Sequence, residues 1–226
     1  MRNLAALVVL AFLTSCASIP TIEQIPQRDY VAIGDSVSAG VGAGGTVDLS
    51  DPAASVDRRR AFPYLLAKAM GVRHANLAAP GAMADDVRRL QVAPALAYRP
   101  NVVTLWVGGN DLVHGRDPRE YGASLALILA RLDEMGLAKV YVLNLPDVWA
   151  AKRFRDKPDN DVTPARVAAF NSATAVAVSN YGGILVDISG PALVADGMLA
   201  DDDFHPGPKA HVWLADRILA TMEKSR

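Results

Sequence analysis

The strongest constraint on this chain is a fivefold alternation of short apolar runs, most of them closing on glycine or polar residues, with segments of helical period. The runs occupy residues 30–33, 75–78, 102–107, 140–145 and 184–188. Each is too short for a stable helix and lacks the apolar–polar alternation of a half-exposed strand, so each reads as a buried parallel strand. The helical patterns cover 63–70, 84–93, 118–135, 164–180 and, after the last strand, 208–224. Proline stands near four of these starts, where its fixed φ suits helix entry. Gly71, Gly136 and Gly182 fall where three of them should stop. Strand–helix–strand alternation predicts a doubly wound α/β sandwich on a parallel sheet.

Such a sheet binds ligands beyond the carboxyl ends of its strands. The residues that follow the first three runs are Gly34-Asp35-Ser36, Ala79-Pro80-Gly81 and Gly108-Gly109-Asn110-Asp111. Turn chemistry would explain any one of them, but three polar loops converging on one sheet edge make a candidate site. Ser36, held at a strand end, is a candidate nucleophile that still needs a base. Of the four histidines, His74 precedes the second strand at the wrong end and reads as a surface residue. His211 lies inside the last helix and reads as structural, and His114 reads as a loop residue near enough to touch a substrate. His205 sits in Asp201-Asp202-Asp203-Phe204-His205-Pro206, a loop entering the last helix and able to fold over the crevice. A carboxylate of that loop could orient its imidazole. With neither an HExxH nor a cysteine pair, zinc has little support.

Taken together, these blocks resemble the GDSL or SGNH hydrolases over nearly the whole chain beyond its N-terminal region. Gly34-Asp35-Ser36 matches the first block, Gly81 the second, Gly108-Gly109-Asn110-Asp111 the third, and Asp202 with His205 the last. The departure is Val37 where the eponymous leucine would stand. The resemblance implies a flavodoxin-like, five-stranded parallel sheet, no metal or other cofactor, and hydrolysis of carboxylic esters or thioesters. It assigns Ser36 as nucleophile, His205 as base and Asp202 as its partner, with the oxyanion held by the N–H groups of Ser36 and Gly81 and the amide of Asn110. The residue types agree: glycine lets backbone approach a substrate, and an asparagine amide is a neutral donor. Asp35 and Asp111 are expected to bond loop backbone. The GxSxG elbow of the α/β-hydrolases is absent. Residues 42–61 follow the nucleophile directly and either shape its pocket or form a surface excursion. The expected substrate is a small acyl ester or an acetylated glycan. The alternatives are a carbohydrate O-acetylesterase of envelope glycans and a non-catalytic lipoprotein that binds glycan or a partner. Intact Ser36, Asn110 and His205 count against the latter.

The N-terminus supplies a location. Met1-Arg2-Asn3 is positive and residues 4–13 are apolar and uncharged, the layout of a secretory signal. That run falls short of the roughly 20 apolar residues a spanning helix needs. Leu13-Thr14-Ser15-Cys16 resembles the lipobox of bacterial lipoproteins, and Cys16 is the chain's one cysteine, so no intrachain disulfide can form. Several acyl chains on Cys16 would hold the protein stably on a membrane. Ala17-Ser18, with no aspartate, resembles lipoproteins sent to an outer membrane facing the periplasm. The expected organisation is a signal over 1–15, lipidated Cys16 with a proline-containing tether over 16–28, and one hydrolase domain over 29–226. Balanced charge, 23 basic against 24 acidic residues, and a lone basic run at Arg58-Arg59-Arg60 make nucleic acid an unexpected partner. The sequence leaves the oligomeric state open.

Overall fold

The structure, a computed structural model, describes residues 27–134, 136, 138–155 and 161–225. The expected signal, Cys16, most of the tether and Met135 lie outside them. The five apolar runs form five parallel strands, β1 (Tyr30–Gly34), β2 (His74–Asn76), β3 (Val102–Trp106), β4 (Lys139–Leu143) and β5 (Ile184–Val186), in the order β2-β1-β3-β4-β5. This is the flavodoxin-like order, with its topological switch between β1 and β3. The helices are α1 (Ser36–Ala39), α2 (Phe62–Met70), α3 (Ala84–Asp86), α4 (Val92–Ala97), α5 (Gly109–Val113), α6 (Pro118–Asp133), α7 (Lys152–Arg155), α8 (Pro164–Tyr181) and α9 (Pro208–Lys224).

Side chains alternate across the sheet and explain its two-sided burial. Val31, Ile33, Val103, Leu105, Val140 and Val142 pack with Leu125, Ile128 and Leu129 of α6 and Phe170 of α8. Tyr30, Ala32, Tyr141, Leu143 and Val186 pack on the other face with Phe62 and Leu66 of α2 and Leu214 and Ile218 of α9. Each large aliphatic group so buried contributes about 1.5–3 kcal/mol. Proline stands in the first turn of α2, α6, α8 and α9. Gly71 closes α2 in the left-handed conformation, its N–H bonding the carbonyls of Ala67 and Lys68.

Three expectations are corrected. The helix expected over 84–93 is broken by a π turn, Val87–Gln91, between α3 and α4. The strands expected over 75–78, 140–145 and 184–188 stop early, because their last residues leave the sheet to build the loops above it. His74 is not a surface residue: it opens β2 half-buried, with its ring 6.2 Å from that of Tyr30 and 5.9 Å from that of Tyr64. Burial and the charge of Arg28 lower its pKa.

His211 ties two helices together. It is fully buried in α9, and its Nδ1 accepts the N–H of Phe62, the first residue of α2, at 3.1 Å. Burial pushes its pKa down to about 4 from 6.5. Between those values the unfolded chain binds a proton that the folded chain refuses. The stabilisation is therefore complete above pH 6.5 and is lost as pH falls toward 4, by an amount on the order of 3 kcal/mol. His211→Gln is expected to be less stable near neutrality but to lose less stability on acidification across that interval. Urea midpoints measured against pH test this, and identical slopes in both proteins would contradict it.

Candidate active site

The site begins where β1 runs out. A Cβ on Gly34 would stand 2.1 Å from the Trp106 carbonyl oxygen, so only glycine allows β1 to end this close to β3. Asp35 then caps α1, its Oδ1 accepting the Val37 N–H at 3.1 Å. Burial lifts the Asp35 carboxyl to about 7, against the Val37 hydrogen bond and with a contribution from the Asp111 charge. Ser36 is thus the first residue of α1, a position whose N–H has no intrahelical partner.

The Ser36 hydroxyl lies 3.0 Å from His205 Nε2, and His205 Nδ1 lies 2.6 Å from Asp202 Oδ2. Asp202 Oδ1 also accepts the N–H groups of Phe204 and His205 at 3.1 and 2.9 Å, so one carboxylate shapes the turn and orients the ring. Burial raises the pKa of Asp202, but its hydrogen bond to His205, the imidazole's charge and those two N–H groups outweigh this and leave it below the ordinary value. With Nδ1–H donated to a carboxylate, Nε2 keeps a lone pair facing the serine. The neighbouring aspartates point elsewhere: Asp201 accepts the Val47 N–H at 2.8 Å, and Asp203 pairs with Lys152 at 3.5 Å. The guanidinium of Arg153 lies 4.0 Å from Asp202 Oδ2 and 5.4 Å from the centre of the Phe204 ring.

Asn110, in the first turn of α5, donates one amide hydrogen to the Ala82 carbonyl at 3.0 Å. An amide carries two such hydrogens, so one remains for a ligand. Gly81 precedes Ala82 on an exposed turn with φ +79°. Ser36, Asn110 and His205 line one cleft together, whereas Gly81 is outside that lining and joins it only through the Asn110–Ala82 bond. Asp111 accepts the Ala84 N–H at 3.1 Å, so both it and Asp35 bond backbone as expected. His114 is exposed, its Nδ1 2.8 Å from the Asn110 carbonyl, and is no part of the cleft. The 42–61 loop neither lines the cleft nor stands free. Its Val47 N–H bonds Asp201, its Gly45 carbonyl takes the Asp201 N–H at 3.2 Å, and a Cβ on Gly42 would meet the Pro206 carbonyl oxygen at 2.6 Å. It therefore buttresses the His205 loop from behind.

The cleft is walled by Val37, Leu145, Val148, Leu193, Leu199 and Phe204, with space amounting to about 550 Å³ including its open mouth. These positions escaped the sequence reading because they come from segments far apart in the chain, with no local pattern to join them. Among the described residues, no group of three or more His, Cys, Asp or Glu is placed to hold a metal ion.

A serine hydroxyl, an imidazole and a carboxylate thus stand in series at the switch point of a flavodoxin-like sheet, the order in which such groups stand in serine hydrolases. The chain belongs to the GDSL-like Lipase/Acylhydrolase family, whose model it matches over residues 32–213. Lipase 2 of Streptomyces coelicolor is 39% identical over 94 residues, a stretch covering 38% of this chain and 30% of that lipase. The crystal structure of TesA superimposes with a TM-score of 0.66 at 22% identity, covering 86% of this chain and 98% of TesA. A carbohydrate esterase family 2 enzyme from Corynascus, solved with its carbohydrate-binding domain, gives 0.63 at 21% identity, covering 91% of this chain and 69% of that one. These two structural likenesses establish the fold.

Proposed function

We propose that this protein hydrolyses carboxylic esters, and thioesters by the same route, through an acyl intermediate on Ser36. The carrying observation is the unbroken series from Asp202 through His205 to the Ser36 hydroxyl at the wall of an apolar cleft. His205 Nε2 takes the hydroxyl proton as Oγ bonds to the acyl carbon, and the charge that develops on the carbonyl oxygen is met by Ser36 N–H and the free Asn110 hydrogen, the Gly81 turn lying outside the cleft lining and bearing on the site through the Asn110–Ala82 bond. The bond to the leaving oxygen or sulfur then breaks, and that atom takes the proton from His205. Water repeats the cycle on the acyl-enzyme: its proton passes to Nε2, its oxygen bonds the acyl carbon, and the Ser36 Oγ–acyl bond breaks with return of the proton.

The aliphatic walls suit an acyl chain better than a sugar ring, so simple acyl esters are the first substrate class. The space of about 550 Å³ counts the open mouth, so the seat for the acyl group is smaller than that, which favours short acyl groups. The same smallness supports acetylated glycans as the second reading, in line with the carbohydrate esterase sharing this fold. Turnover of p-nitrophenyl esters of increasing acyl length is expected to fall steeply with length. Ser36→Ala and His205→Ala are each expected to lose about 10⁴-fold or more in kcat, with the double mutant scarcely worse. Asn110→Ala is expected to lose about 10²–10³-fold in kcat at little change in KM. A folded Ser36→Ala that still turns over esters would end this reading, and parent-like kcat in Asn110→Ala would remove the amide from the oxyanion site.

The envelope location is proposed on the sequence alone, from the signal-like residues 1–15 and the lipobox ending in Cys16. Among the described residues no helix is long and apolar enough to cross a membrane, so lipid on Cys16 would supply the anchoring. Cys16→Ala is expected to leave the membrane fraction with its esterase activity intact. Continued sedimentation with membranes after a high-salt wash would contradict the anchor.

A further inference from the structure

Gln91 is a buried polar side chain with no role in the scheme above. It closes the π turn of residues Val87–Gln91, where the Val92 N–H reaches back to the Val87 carbonyl, and it is 4% exposed. Its Oε1 accepts the Gly34 N–H at 2.8 Å, and its Nε2 donates to the Gly34 carbonyl at 2.9 Å. These groups face the β2 side of β1. There, Leu77 N–H bonds the Ala32 carbonyl and Ala79 N–H bonds the Gly34 carbonyl, but β2 has ended at Asn76 and supplies no acceptor for the Gly34 N–H. The Gln91 amide stands in for the missing strand residue.

The placement matters because Gly34 is two residues before Ser36. The peptide joining Gly34 to Asp35 is held at both ends, its carbonyl by Gln91 and Ala79 and its N–H by the Trp106 carbonyl at 3.2 Å. The Ser36 hydroxyl and the Ser36 N–H follow directly from that peptide's orientation. A helix turn of unusual width carrying a polar side chain bonded through both its oxygen and its nitrogen, next to a reactive group, fits the frequent occurrence of π turns at functional sites.

We propose that Gln91 is a positioning residue for the nucleophile, setting the Gly34–Asp35 peptide so that the Ser36 hydroxyl meets His205 and the Ser36 N–H meets the oxyanion. This rests on the reading of Ser36 as nucleophile. Misplacement of reacting groups by about 1 Å costs about 10²-fold, and loss of the clamp should appear in kcat, with substrate binding in the apolar cleft unaffected.

The test uses the full chain with two substitutions. Gln91→Met keeps the length and removes both bonds. Gln91→Glu keeps the acceptor and, when protonated, also the donor, while burial favours its neutral form. For Gln91→Met, kcat is expected to fall about 10²-fold at unchanged KM, with the full fraction of sites still titrated by a phosphonate ester given time to complete. For Gln91→Glu, the ratio of its kcat to the parent's is expected to be highest at low pH and to fall as the carboxyl ionises. The proposal is overturned if Gln91→Met keeps the parent's kcat, or loses it only in step with titratable sites. Should Gln91→Met fail to fold, a pH-independent ratio for Gln91→Glu overturns it. Ser36→Ala separates the two failures: an active Ser36→Ala ends the nucleophile reading itself, whereas an inactive one beside a normal Gln91→Met ends only the clamp.

Discussion

Everything in the site depends on the pairing of β1 with β3. The two strands run in register from Tyr30 opposite Val102 to Gly34 opposite Trp106, with Tyr30 and Thr104 also joined through their hydroxyls at 2.8 Å in the core. Because the chain leaves β1 toward one face and β3 toward the other, the strand ends diverge and open a crevice between them. Ser36 and Asn110 are the second and fourth residues beyond those ends. Their proximity is therefore a property of the sheet, fixed before any side chain of the site interacts. Gly34 is the point at which this pairing is tightest, since the Trp106 carbonyl fills the volume a Cβ would need.

The imidazole of His205 arrives from the far end of the sequence. Ser36 and His205 are 169 residues apart, and the loop that brings them together is held on two sides. From within, Asp202 bonds the His205 ring and two backbone N–H groups. From behind, the 42–61 loop bonds Asp201 and packs Gly42 against Pro206 and the His205 Cβ. Phe204, at 5.2 Å from Phe154 and 4.8 Å from His205 between ring centres, carries the same loop into the apolar wall. The His205 loop is thus fixed by contacts that also build the cleft, which couples the orientation of the imidazole to the shape of the cleft.

The parts of this arrangement that were legible in the sequence are those with a physical period or a fixed spacing. Burial on both faces makes β1 and β3 continuous apolar runs, and prolines and glycines punctuate α2, α6, α8 and α9. The blocks around Ser36, Asn110 and His205 were visible because they follow strands or precede a helix. The π turn was not, since α-helical spacing also places Ala84, Val87, Gln91 and Ala95 on one face. A glutamine on that otherwise apolar face was the available signal for Gln91. The role of the 42–61 loop was hidden because its partner, Asp201, lies about 150 residues away, and a surface excursion and a buttress have the same turn-rich composition. The early ends of β2 and β5, each three residues long, reflect their places at the edges of the sheet, where only one neighbour supplies pairing.

On the proposed mechanism one serine, activated across the β1–β3 crevice by an imidazole, takes the acyl group. The most direct measurement is mass-spectrometric peptide mapping after reaction with a fluorophosphonate, which phosphonylates a serine only where a neighbouring base activates it. A single adduct is expected, on the peptide containing Ser36, and it is expected to be absent from His205→Ala. An adduct on another residue, or labelling of Ser36 that persists without His205, would contradict that mechanism.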